Sequence, residues 1–138
     1  MEQYKIDDVA KACGLTKRTI RYYEEIGILM PPERSEGGMR LYTQQHIDRL
    51  NQIIKARDVL GYTLQEIQDF VAIREEMYGR RNVYKETGDE AAKKLELIEI
   101  KRVVAKQLEM IDQKLQTMTE FRKEIDEIYQ RVCKALES

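Results

Sequence analysis

TKRTIRYYEEIGIL, residues 16–29, sets three basic side chains and two adjacent tyrosines on one short segment. Thr16 is a natural N-cap and Gly27 a natural stop, so the segment predicts a helix to about Ile26, with Ile20 and Tyr23 facing inward. Adjacent helical residues differ by about 100°. Tyr22 is therefore a surface residue, while Tyr23 belongs to the core. Upstream, Ile6, Val9, Ala10 and Cys13 recur at i, i+3, i+4 and i+7, one apolar stripe closed by Gly14. Two short helices joined by so tight a turn match a helix-turn-helix over about residues 5–26.

Downstream, ILMPPERSEGGMRLY (residues 28–42) carries Pro31-Pro32 and Gly37-Gly38, which break any helix and bracket short runs, as in a β-hairpin or wing. Period-two alternation sets Met39 and Leu41 on one face and Arg40 and Tyr42 on the other. A third helix is expected over about 44–60, with Ile47, Leu50 and Ile54 spaced for burial and His46 exposed in its first turn. Thr63-Leu-Gln-Glu66 is a capping box that opens a fourth, about 64–76, with Leu64, Ile67, Phe70 and Val71 as its stripe. Residues 1–76 thus form one small unit. Residues 77–89, bounded by Gly79 and Gly88, lack helical periodicity and read as a linker, and Thr87-Gly-Asp-Glu90 as another capping box.

From residue 90 to 138 there is no Gly or Pro, and a seven-residue repeat is legible. Leu97, Val104, Ile111, Met118, Ile125 and Val132 occupy one seam position; Lys101, Leu108, Leu115, Arg122, Tyr129 and Leu136 occupy its partner. A helix of this length is ~70 Å long at 1.5 Å per residue, too long for a small domain to bury. Its seam needs a second helix. Dimerisation is assigned to Leu97, Val104, Leu108, Ile111, Leu115 and Met118. Lys101 and Arg122 interrupt the seam, and keeping them from meeting in an antiparallel pair sets the dimer axis N-terminal to Ile111.

Composition excludes more than it selects. At 138 residues there is room for one compact domain plus an extended element, and the formal net charge of -1 points to no partner. Locally, residues 16–22 carry three cations and no anion, a patch suited to an anionic ligand. No apolar run approaches the ~18 residues of a membrane span and no signal segment opens the chain, so a cytoplasmic, nucleoid-associated protein is expected. Two distant cysteines and one histidine provide no four-ligand metal site, and no cofactor or metal is expected. Cys13 completes a core stripe. Cys133 lies beside the seam, with Arg131 and Lys134 as its nearest cations in sequence. No nucleophile-base pair or phosphate-cradling glycine pattern appears, so an enzyme is not expected.

The order helix, tight turn, helix, wing, two helices and a long dimerisation helix resembles the MerR family of bacterial transcription regulators. The resemblance rests on IDDVAKACGLTKRTIRYYEEIGIL, on GGMRLYT and on IKARDVLGYTLQEI, and spans residues 2 to about 74. It implies a mainly α fold: a winged helix-turn-helix DNA-binding domain followed by an antiparallel coiled coil that makes a homodimer. It implies a pseudo-palindromic promoter site in double-stranded DNA, with RNA polymerase engaged indirectly through that promoter. Position by position, Lys17 and Arg18 fall on bases or nearby phosphates, with Thr16 beside them among the DNA-binding residues. Arg21 and Tyr22 fall on the backbone near the operator centre, and Arg40, Tyr42, Lys55 and Arg57 on further phosphates. Metal-sensing members carry cysteines around the dimerisation helix, whereas this chain has none between Gly14 and Val132. Any small-molecule effector needs a pocket between subunits, with Tyr78, Tyr84 and Tyr129 as candidate walls. Two alternatives stay open: a repressor that simply occludes its operator, and a coiled-coil interaction module without specific DNA binding.

Overall fold

The computed structural model describes residues 2–138, which divide between Arg74 and Glu75 into two compact units. In the first, α1 (Ile6–Cys13) and α2 (Lys17–Glu25) meet across a turn in which Gly14 takes φ 68°, a left-handed conformation that ends α1. Thr16 caps α2 as its sequence predicts, its hydroxyl accepting the Thr19 N–H at 3.1 Å. Ile20 and Tyr23 are buried and Tyr22 is 46% exposed, so the two tyrosines divide as expected.

The wing is a minimal antiparallel pair, β1 (Glu33–Arg34) and β2 (Arg40–Leu41), in register Glu33↔Leu41 and Arg34↔Arg40. Its tip is fastened by Arg34 Nη1 donating to the Gly38 carbonyl at 2.9 Å and Met39 N–H donating to Ser35 Oγ at 3.1 Å. Beyond β2, Tyr42 exchanges both backbone hydrogen bonds with Tyr4 at 2.8 Å, stitching the wing to the chain start.

Helix α3 (Gln44–Asp58) buries Leu50, Ile53 and Ala56, while the expected Ile47 and Ile54 are half-buried. Its first turn corrects the reading of His46, which is buried rather than exposed. His46 Nδ1 accepts the Thr43 N–H at 3.0 Å, which leaves the proton on Nε2 to donate to the Met30 carbonyl at 3.2 Å. One imidazole thereby satisfies a helix N-terminus and a loop carbonyl together. Burial pushes its pKa below the ordinary 6.5, helped by Arg49 and opposed by the bonds to Met30 and Pro31 and by the charge of Glu24. The unfolded chain therefore takes up this proton more readily than the folded one. Stability from this residue is complete above ~6.5 and is lost as pH falls below it. Urea midpoints at about pH 7.5 and about pH 5.5 should differ in that direction, and His46→Gln should shrink the difference.

Helix α4 (Leu64–Glu86) opens on the capping box read from sequence: Thr63 N–H donates to Glu66 Oε1 at 3.1 Å and Glu66 N–H to Thr63 Oγ1 at 3.2 Å. Ile67 and Val71 are buried, whereas Leu64 is exposed. The helix does not stop at residue 76. The expected linker at 77–89 is helical through Glu86, because one glycine costs a helix only about 1 kcal/mol and Gly79 is outweighed.

The second unit supplies what outweighs it. Arg80 pairs with Glu76 (3.5 Å), Glu96 (3.5 Å) and Glu99 (3.7 Å), and Arg102 with Glu76 (3.0 Å) and Glu99 (2.9 Å). Ion pairs thus join this part of α4 to α5 (Glu90–Glu137), in a stretch that no apolar period marks. Thr87 is not the cap of α5. Its hydroxyl closes α4 by donating to the Val83 carbonyl at 2.7 Å, and Asp89 caps α5 by accepting the Ala92 N–H at 3.3 Å. On α5, Leu97, Leu108, Leu115 and Met118 are exposed, Val104 and Ile111 are half-buried, and the covered residues are Val103 and Gln107.

Candidate nucleic-acid interface

The basic patch is built on α2. Lys17 and Arg21 are four residues apart and share a face, as do Arg18 and Tyr22 on the adjoining one. Lys17, Arg18 and Arg21 are all exposed, as is Thr16 at the cap. Lys17 Nζ lies 2.6 Å from Asp7 Oδ1 on α1, and this pairing holds the Asp7 carboxyl below its usual range. Both partners are half exposed or more, so water screens the pair and it holds Lys17 only weakly.

Tyr42 requires a correction: it is fully buried, and its ring is no part of a DNA-facing surface. The alternation of Arg40 and Tyr42 onto one face is as expected, but that face turns toward α2 rather than toward solvent. Tyr42 OH donates to Glu24 Oε2 at 2.6 Å, Arg40 Nε donates to Glu24 Oε1 at 3.4 Å, and the Tyr42 ring meets His46 edge-on at 5.2 Å. Burial, then the bond to Glu24, drives the Tyr42 hydroxyl well above its ordinary pKa, so it remains a donor at any working pH.

Glu24 was not among the residues its sequence marks, although the signal is there. It stands one turn after Ile20 on the inward face of α2, and its side chain is only 12% exposed. An acid on an apolar stripe needs a partner. Here it has two, both from the wing.

Arg40 keeps about a third of its side chain exposed. On α3, Lys55 is exposed, and Arg57 is steadied by Asp58 at 2.7 Å and by the Tyr23 hydroxyl at 3.3 Å. The Asp58 bond raises the Arg57 pKa further, so its charge is permanent. Among the described residues no group of three or more His, Cys, Asp or Glu side chains stands ready to hold a metal, and no helix is long and apolar enough to cross a membrane.

The family model described as MerR HTH family regulatory protein matches residues 4–72, the whole helix-turn-helix, wing and α3 with the start of α4. The chain belongs to the MerR family. It is 38% identical over 138 residues to the HTH-type transcriptional regulator YfmP of Bacillus subtilis (strain 168), covering 100% of this chain and 99% of that one. To the mercuric resistance operon regulatory protein of Bacillus cereus it is 45% identical over 71 residues, 51% of this chain and 53% of the relative. Among solved structures, HiNmlR, a MerR family regulator lacking the sensor domain and bound to promoter DNA, shares the fold at a TM-score of 0.53. That likeness has 19% identity and covers 99% of this chain and 92% of that one. This MerR family member is a DNA-binding transcriptional regulator, as its relatives are, and not an enzyme.

Proposed function

We propose that two copies of the chain pair antiparallel through α5 and grip a pseudo-palindromic promoter site, distorting the spacer so that RNA polymerase can engage both promoter elements. One observation carries the pairing: Leu97, Leu108, Leu115, Met118, Phe121, Ile125, Ile128 and Val132 are each 48% exposed or more in the single chain. A row of that length left in water is a helix awaiting a partner. Thr16, Lys17, Arg18, Arg21 and Tyr22 then meet the major groove and its flanking phosphates. Arg40 takes a flanking phosphate, Lys55 and Arg57 take phosphates further out, and Tyr42 steadies the Glu24 carboxylate that holds Arg40.

Distortion is the reading that a dimer gripping two half-sites favours. Each surplus base pair in a spacer rotates one promoter element by about 34° and shifts it ~3.4 Å. Bending and untwisting reverse that at a cost of ~1–6 kcal/mol, which added contacts must offset. Transcription in vitro tests it. On a promoter with an overlong spacer, RNA polymerase should depend on this protein, and deleting the surplus base pairs should remove the dependence. Equal inhibition of both templates would instead identify operator occlusion.

A further inference from the structure

A concavity of about 270 Å³ opens between the start of α1, the middle of α2 and the wing, and Lys5, Asp7, Arg21, Gly38 and Arg40 are on its wall. We infer that it seats one backbone phosphate of the bound duplex in each half-site, with Lys5 as a DNA contact; this rests on the DNA-binding reading above.

Three cations reach the wall from three different elements: Lys5 just ahead of α1, Arg21 from α2 and Arg40 from β2. The single acid on the wall, Asp7, is engaged by Lys17 at 2.6 Å. Among the described residues the wall itself thus carries three positive charges and one negative, a surplus that a phosphodiester neutralises in part. Arg40 meets Glu24 through Nε. The guanidinium is a planar fork of donors, a geometry suited to two oxygens of one phosphate.

The wall has features that favour a phosphate over other parts of a nucleic acid. Among the described residues it carries no aromatic ring on which an unstacked base would lie. At its wing side Gly38 holds φ 84°, a turn that L side chains rarely adopt, so no side chain is carried over the seat at that point. Arg21 is one helical turn beyond Lys17, so the concavity shares a residue with the exposed basic face of α2.

The test uses the full chain and a duplex selected by it from a random-sequence pool, with single neutral methylphosphonate linkages placed at each position of one half-site. The wild-type chain should lose about tenfold in affinity at one linkage in particular. Lys5→Ala should lose a similar factor on unmodified DNA and little more when that linkage is neutral, because the two changes remove the same interaction. Lys5→Arg should restore sensitivity there. Folding is not at issue, since Lys5 steadies α1 through its backbone N–H to Asp8 Oδ2 at 3.3 Å, which alanine keeps. Losses that multiply at every linkage overturn the seat while leaving DNA binding intact. A wild-type chain that selects no duplex would defeat the DNA-binding reading itself.

Discussion

The double substitution Leu115→Glu, Met118→Glu should convert a particle of twice 16.4 kDa into one of 16.4 kDa by sedimentation, with helix content of the isolated chain preserved. Both side chains are more than half exposed in the single chain, at 55% and 66%, so carboxylates there disturb nothing within one copy. In the pair they set four acids into an apolar seam, each losing hydration without a partner. Burying a leucine or methionine contributes about 1.5–3 kcal/mol, and four such contributions vanish together. Affinity for the two-half-site duplex should fall by roughly 10²–10⁴-fold, because each domain then binds without the effective concentration provided by its twin. A mutant that stays dimeric would refute pairing through this stretch of α5. In a background without Cys13 and Cys133, single cysteines at Val104 and Leu108 then locate the axis. Cross-linking at either sets it N-terminal to Ile111, and failure at both excludes that.

Tyr42→Ala is the second large effect, expected to cost about 3–5 kcal/mol of folding stability, a sizeable share of what a small domain possesses. The ring is fully buried against His46, and its hydroxyl supplies one of the two bonds to a nearly buried carboxylate. Tyr42→Phe separates these roles. It keeps the ring and leaves one Glu24 oxygen without its donor, for about 1.5–3 kcal/mol. Urea unfolding measures both. With folded protein, Tyr42→Phe should leave DNA affinity at fixed salt unchanged, whereas removing a phosphate-contacting hydroxyl would lower it.

Tyr42 also shows where reading a sequence stops. The helix-turn-helix was legible because its signals are local: Gly14 and Thr16 mark the turn, and a stripe of period 3.6 marks the buried face. Which way Tyr42, just beyond a two-residue strand, turns is set from elsewhere, here by Tyr4 and Glu24, which no spacing around residue 42 reveals. His46 was misread for the same reason, as its partner carbonyl on Met30 lies sixteen residues away. The heptad repeat was legible as a repeat but not in its full width. Phe121 and Ile128 lie one position before Arg122 and Tyr129 and offer a second companion row, so the pattern alone leaves the seam's partner row ambiguous. At residues 77–86 the helix is held by arginines and glutamates, and a search for apolar periodicity passes over it.

That ionic clasp has a consequence for every titration of this protein with salt. Raising ionic strength weakens DNA binding through counterion release, and the same ions screen Arg80 and Arg102 from Glu76, Glu96 and Glu99, whose side chains are 24–43% exposed. The hairpin of α4 and α5 thus carries its own ionic-strength gauge. Amide exchange in residues 77–86, followed without DNA, reads that gauge separately and supplies the baseline from which phosphate contacts are counted.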